Sequence, residues 1–398
     1  MSESSRREVG ISGFRVALSQ LDHHATPFGT LLGLGDTITR KRYADTLETI
    51  AKRGPDAFYT GPIAEATINT IQANGGIMTL EDLKNYTVAI RPPASIDYRG
   101  YKIRSGSAPS SGTVAMSVMK IIEGYTDIGE ASTLNLSTHL FDEALRFAYG
   151  QRTELADPSF VDGMDEYQAD MLKETTAAAV RAKISPFHTL NVSAYDPSGF
   201  ESLETPGTSA IVTSDVNGMA ISLTTTINLL FGSQIMVPET GVILNDEMND
   251  FSIPGSSNAF GYIPSPVNYI RPGKRPLSSI SPTIVEHANG TLYFVAAAAG
   301  GSKIITSTLQ QLWHVLDQDM TAPEALAMPR LHDQLEPNQV TFEYAYDNET
   351  VAFMESRGHN VTWVAPGLST AQSLRRLGNG TFEAAGEPRQ VNSGGFVI

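Results

Sequence analysis

Gly207-Thr208-Ser209 is the point at which this chain could build a nucleophile. A threonine hydroxyl reacts poorly unless a base lies against it. Cleavage of the bond before Thr208 would turn its own α-amino group into that base. A free α-amine titrates at about 7.7–8.0, so a small depression readies it to move protons near neutral pH. Gly207 gives the preceding backbone the freedom that an N→O acyl shift needs. By itself a three-residue pattern has little specificity. The chain has no cysteine, which removes disulfides, thiolate nucleophiles, zinc–cysteine knuckles and iron–sulfur clusters. None of its eight histidines lies in a Gly-x-Ser-x-Gly or His-Glu-x-x-His run, so neither an α/β-hydrolase nor a zincin is supported. His23-His24 reads as a loop pair, and His314 beside Trp313 as a structural histidine. The glycine-rich pieces lack the spacing of a phosphate loop.

The elements that would hold Thr208 follow from periodicity and turn signals. Before it the chain reads mainly helical. Tyr43, Ala44, Leu47, Ile50 and Ala51 share one helical face, stopped by Gly54-Pro55. Pro62 opens a second helix through Ala64, Ile68 and Ile71, closed at Asn74-Gly75-Gly76. Thr79 and Asp82 predict a short capped turn, and Tyr98-Arg99-Gly100-Tyr101 sits inside a strand-like stretch. Further helices are expected after Ser110-Ser111-Gly112 and from His139 to Tyr149. Residues 175–205 turn polar, as an exposed connector would. Beyond residue 207 the texture becomes β-rich. Asp215-Val216-Asn217-Gly218, Asn289-Gly290 and Gly378-Asn379-Gly380 are hairpin signals. A helix begins at Gly300-Gly301 and buries Ile305, Leu309 and Leu312, while residues 340–346 and 361–364 add strands. Hairpins with segregated helices predict an α+β layered fold, not a parallel βαβ array.

Length and charge set outer bounds. With 398 residues, 41% hydrophobic, the chain can bury a large core. A net charge of −15 argues against nucleic acid as a partner. No run approaches the ~18–20 apolar residues of a membrane span, and MSESSRREVG lacks the apolar core of a signal peptide. Yet Asn-x-Ser/Thr sequons recur at Asn85, Asn135, Asn191, Asn289, Asn348, Asn360 and Asn379, as in proteins that travel the secretory route.

From about Gly29 onward the sequence resembles the gamma-glutamyltranspeptidase (glutathione hydrolase) family of N-terminal-nucleophile hydrolases. Large-subunit-like phrases are Tyr43-Ala44-Asp45-Thr46-Leu47, Gly54-Pro55-Asp56-Ala57-Phe58-Tyr59, Asp97-Tyr98-Arg99-Gly100-Tyr101 and Pro109-Ser110-Ser111-Gly112. Small-subunit-like phrases are Thr226-Ile227-Asn228, Phe231-Gly232-Ser233, Asn245 through Phe251, Pro276-Leu277-Ser278-Ser279, Gly300-Gly301-Ser302-Lys303-Ile304 and Pro329-Arg330-Leu331-His332. The resemblance implies a four-layer αββα sandwich, with residues 1–207 and 208–398 as intertwined halves of one domain. It implies self-cleavage between Gly207 and Thr208, followed by transfer of a gamma-glutamyl group from glutathione-type amides to water, amino acids or dipeptides. Thr208 is then the nucleophile and Thr226 the hydroxyl that orients it. Asn228, Glu247 and Asp250 hold the α-amino group, as a buried ammonium requires. Ser278 and Ser279 donate to the α-carboxylate, and the Gly300 and Gly301 backbone forms the oxyanion hole. No metal or organic cofactor is implied, and family members are expected in extracellular or vacuolar compartments, secreted or membrane-anchored.

Two departures accompany the match. Ala210 stands where the family usually has histidine two residues after the nucleophile. Only 207 residues precede Thr208, and nothing in residues 1–28 resembles the upstream family segment with a carboxylate-pairing arginine, as in an N-terminally truncated member. Arg271, Lys274 and Arg275, just before Ser278, are candidate substitutes for that arginine. Two other readings stand beside the enzyme: a non-catalytic relative that stays one chain, and a glutaryl- or β-lactam-directed acylase of the same fold.

Overall fold

The computed structural model describes residues 37–196, 198–200, 208–255, 263–367 and 369–398. Gly207, and with it one side of the expected cleavage bond, lies outside the described residues, as do His23-His24. The chain forms two compact units, one made of residues up to Ile90 with Leu229–Asp246, the other of Arg91–Asn228 with Glu247–Ile398.

In the first unit, α1 (Lys41–Arg53) ends at Gly54, whose N–H donates to Ile50 O at 2.8 Å. The apolar face expected of α1 is not what it buries. Thr46 is buried and donates to Thr240 O at 2.9 Å, whereas Leu47 is exposed. The backbone carbonyls of residues 238–241 present polar acceptors, so this helix docks through hydrogen bonds. Helix α2 (Asp56–Tyr59) precedes α3 (Pro62–Ala73), which has proline in its first turn and closes at Asn74. Helix α4 (Leu80–Lys84) opens on the expected capping box, with Thr79 N–H donating to Asp82 Oδ2 at 2.7 Å.

The second unit carries the large core. Strands β1 (Ala94–Tyr98) and β2 (Tyr101–Ser105) form a hairpin, where the sequence suggested one continuous stretch. Arg99 and Gly100 have φ of 46° and 84°, the left-handed pair that a two-residue turn demands. Five helices follow: α5 (Gly112–Glu123), α6 (Leu134–Arg152), α7 (Met164–Met171), α8 (Glu174–Arg181) and α9 (Val192–Tyr195). The last two correct the exposed connector expected there. Ala177, Val180 and Tyr195 are buried, and the Tyr195 hydroxyl donates to Glu143 Oε2 at 2.7 Å. A few well-placed apolar positions anchor an otherwise polar segment.

Strands β3 (Thr208–Ser214) and β4 (Ala220–Thr226) form the expected hairpin, as do β5 (Thr283–His287) and β6 (Leu292–Ala299). Helices α10 (Lys303–Asp317) and α11 (Ala322–Ala327) precede β7 (Leu331–His332) and β8 (Val340–Glu343). Helix α12 (Asn348–Ser356) then crosses to β9 (Val361–Val364), which pairs with β8 in parallel, and the hairpin of β10 (Thr370–Arg376) and β11 (Phe382–Ala385) ends the fold.

The main sheet runs β1-β2-β5-β6-β10-β11, antiparallel throughout. On one face lie α5, α6 and α10, burying Val118, Met119, Phe141, Leu145, Ile305, Leu309 and Trp313 against Val285 and Phe294. On its other face Leu292, Val295 and Leu374 meet Val212 and Ala220 of the β3–β4 hairpin. The unit is therefore α+β and layered, and its buried apolar surface far exceeds what the polar site loops could contribute. Among the described residues no helix is long and apolar enough to cross a membrane.

Candidate functional site

Thr208 opens β3 directly opposite Thr226, the last residue of β4. Antiparallel register puts both side chains on one face, and Thr208 Oγ1 donates to Thr226 Oγ1 at 3.2 Å. The backbone N–H of Asn228 donates to the same Thr226 oxygen at 2.8 Å. Asn228 is buried with φ of 72°, a left-handed conformation that asparagine tolerates better than most residues. That backbone turns its side chain onto Asp250, to which it donates a hydrogen bond.

Glu247 and Asp250 lie at the two ends of one 3₁₀ turn, which brings their carboxyl groups together. Burial, and then the Glu247 charge, push Asp250 up to about 7. Asp250 Oδ1 is buried without a hydrogen-bond partner. Two adjoining carboxyl groups, with Asp250 Oδ1 buried and unpartnered, favour a cation placed beside them.

Ser278 and Ser279 sit across from that turn, and the cation beside them is Arg152, at the end of α6. Arg152 Nη2–H donates to Ser279 Oγ at 2.9 Å and Nε–H to Ser111 Oγ at 3.2 Å. Ser111 Oγ in turn donates to Ser278 O at 2.6 Å. Asp250 is near enough to favour the charged guanidinium, against the burial that disfavours it. Of the cations suggested by sequence, Lys274 spends its ammonium on the carbonyls of Val267 and Tyr269. The cation that lies against Ser279 is thus Arg152, more than a hundred positions upstream in the sequence. A second residue missed was Asn268. Its side-chain amide donates to Asp250 O at 2.8 Å and accepts from Leu277 N–H at 3.0 Å, tying the acidic turn to the serine segment.

The structure thus joins Thr208, Thr226, Asn228, Glu247, Asp250, Ser278 and Ser279 through hydrogen bonds and close charges. Gly300 and Gly301 stand at the end of β6, which packs against β3. Their φ values are 127° and 66°, and a Cβ on Gly300 would come within 3.1 Å of Ser369 Cα. Helix α10 starts two residues later, and Tyr149 of α6 donates its hydroxyl proton to Ser302 O at 2.7 Å. The glycines are therefore required for backbone reasons, and among the described residues no hydrogen bond ties them to Thr208.

Among the described residues one buried cluster has metal-ligand composition: His139, Glu143 and His359 bring ligand atoms within 4.8 Å of one another. His139 Nδ1 and His359 Nε2 are 2.8 Å apart, a hydrogen-bond distance tighter than roughly 3.3 Å between nitrogens sharing a tetrahedral zinc. His139 Nε2 donates to Ser185 O at 2.7 Å, and burial pushes both histidines down to about 4. This cluster fits an internal clasp between α6 and the segment before β9.

The α+β fold has a structural counterpart among solved proteins. The fold is similar to that of a cephalosporin acylase from Bacillus halodurans, with a TM-score of 0.77 at 23% identity, covering 94% of this chain and 65% of the other. Sequence defines the membership more narrowly. Residues 8–397 match the gamma-glutamyltranspeptidase family, and the chain belongs to it, as the motifs implied. It is 58% identical over 372 residues to a glutathione hydrolase proenzyme of Arthroderma benhamiae, covering 94% of this chain and 64% of that one. With a glutathione hydrolase of Aspergillus flavus it shares 51% over 373 residues, covering 94% and 63%. The chain therefore spans a little under two thirds of the length of these relatives.

Proposed function

We propose that the chain is a self-processing gamma-glutamyl hydrolase and transferase on a four-layer αββα sandwich, with residues 1–207 and 208–398 as its two subunits. The reading rests above all on the Thr208–Thr226 hydroxyl contact of 3.2 Å at the head of paired strands. In processing, Thr208 Oγ attacks the Gly207 carbonyl carbon and the peptide nitrogen leaves as the new α-amine. Water then hydrolyses the resulting ester. In turnover that amine takes the Oγ proton as the hydroxyl attacks a gamma-glutamyl amide, and delivers it to the departing amine. The gamma-glutamyl ester on Thr208 is released to water, an amino acid or a dipeptide. Glutathione is the natural donor by family.

Each further role has a physical support. Thr226 Oγ1 accepts from Thr208 and fixes its rotamer. Asn228, Glu247 and Asp250 offer acceptors to the substrate ammonium, and Ser278 with Ser279 offers hydroxyl donors to its carboxylate. Gly300 and Gly301 leave backbone N–H groups unobstructed for the developing oxyanion. The purified chain is expected to run as two bands on a denaturing gel, and Thr208→Ala as one. Two bands persisting in Thr208→Ala would overturn self-cleavage by this residue.

A further inference from the structure

Arg152 has hydrogen-bond donors only, and this fixes the direction of every bond around it. Ser279 Oγ accepts its Nη2–H at 2.9 Å, so the Ser279 proton must be aimed at some other acceptor. Ser111 Oγ accepts its Nε–H at 3.2 Å and spends its own proton on Ser278 O at 2.6 Å. Ser278 is further pinned because its N–H donates to Pro109 O at 2.8 Å. Its Oγ accepts from Ile280 N–H at 3.3 Å, so the Ser278 hydroxyl proton, like that of Ser279, has to be donated elsewhere. The Ser279 hydroxyl proton is thereby set loose beside a buried guanidinium, and Ser111 ties the same guanidinium to the Ser278 backbone. That guanidinium touches neutral hydroxyls, with Asp250 in electrostatic reach but in no direct ion pair with it. A buried cation compensated only this far favours an anion placed next to it.

We propose that Arg152 is the positioning residue that orients the Ser279 hydroxyl toward the α-carboxylate of the ligand, holds the Ser278 backbone through Ser111, and supplies the positive charge on that side. This rests on the site reading given above. The planar fork is essential, because one guanidinium must reach Ser279 and Ser111 at once, which a lysine point charge cannot do.

The test is calorimetric titration of the full purified chain with L-glutamate and with 4-aminobutyrate, the same skeleton lacking the α-carboxylate. The wild type should prefer L-glutamate by about tenfold to a hundredfold, as expected for charge-assisted hydrogen bonds. Arg152→Lys should erase most of that ratio through loss of L-glutamate affinity, leaving 4-aminobutyrate binding near its wild-type value. Ser279→Ala should erase a comparable share, and Ser111→Ala a smaller one. A purely structural Arg152 would lower both affinities together and keep the ratio, which overturns the proposal. If Arg152→Lys does not fold, judged by circular dichroism, the Ser111→Ala ratio decides. Loss of the ratio in Ser279→Ala with full retention in Ser111→Ala and in any folded Arg152→Lys overturns the Arg152 assignment alone. A wild type with no preference for L-glutamate overturns the site reading and this proposal with it.

Discussion

The acidic turn and the serine segment face the same proposed ligand but are built on opposite principles. On the serine side the charge is already present. Arg152 is buried among hydroxyls, and each lone pair it meets is accounted for. On the acidic side the charge is held back. Asp250 is pushed up to about 7 and keeps a buried oxygen without a partner. The serine half holds a positive charge met only by neutral hydroxyls, and the acidic half holds an orphaned acceptor, so each favours the opposite charge on the ligand. The acidic turn should therefore set affinity for the ligand ammonium, and the serine segment affinity for its carboxylate.

The largest effect is expected where the comparison can be broken outright. Asp250→Asn keeps the shape but removes the charge that an ammonium needs. Affinity for a gamma-glutamyl anilide should fall by at least about 2 kcal/mol, roughly thirtyfold in KM. A glutaryl anilide, which has no ammonium, should be unaffected or better tolerated. Equal losses on both anilides would show that Asp250 merely supports the fold. Asn268→Ala sharpens the comparison, because this residue ties the halves together through Asp250 O and Leu277 N–H. Leaving two buried backbone groups without their partner should cost about 2 kcal/mol of stability, read as a lowered urea midpoint. Its KM for gamma-glutamyl anilide should rise less than that of Asp250→Asn.

The two halves also differed in how far sequence disclosed them. Thr208, Thr226, Asn228, Glu247 and Asp250 lie within 43 residues, in local motifs whose turns and register the chain encodes nearby. The hairpin signal at Asp215–Gly218 joins the two strands, and the three-residue loop between Asp215 and Met219 sets the register that pairs Thr208 with Thr226. Arg152 and Asn268 were missed because their roles arise from packing. An arginine at the end of a helix is ordinary until the fold sets Ser111 and Ser279 against it. The same limit explains α8 and α9, where polar composition hid Ala177, Val180 and Tyr195. It also explains the β1–β2 turn, where Arg99 adopts a left-handed conformation that arginine rarely takes. By contrast, the helix after Gly300-Gly301 and the capping box at Thr79 follow from local rules and stand as expected.

The smallest effect is the most specific, because binding and stability should respond to pH in opposite senses through one group. Asp250 in the folded chain titrates near 7, above the value of about 3.9 for an unperturbed aspartate. Between those values the native state holds a proton that the unfolded state has lost. The stability contributed by this group is thus fully present below the lower value and lost as pH rises through about 7. Binding runs the other way, since the ammonium wants the carboxylate ionised. KM for a gamma-glutamyl anilide should fall by up to about tenfold between pH 6 and pH 8, as the single carboxyl at about 7 loses its proton. Over the same range the free protein should lose melting temperature relative to Asp250→Asn, which carries no ionisable group there. Below about pH 3.9 the two proteins should melt alike. A wild type whose KM and relative melting temperature are both flat from pH 5 to pH 8 would remove the titrating carboxyl from the acidic half, and with it the contrast between the two sides of the site.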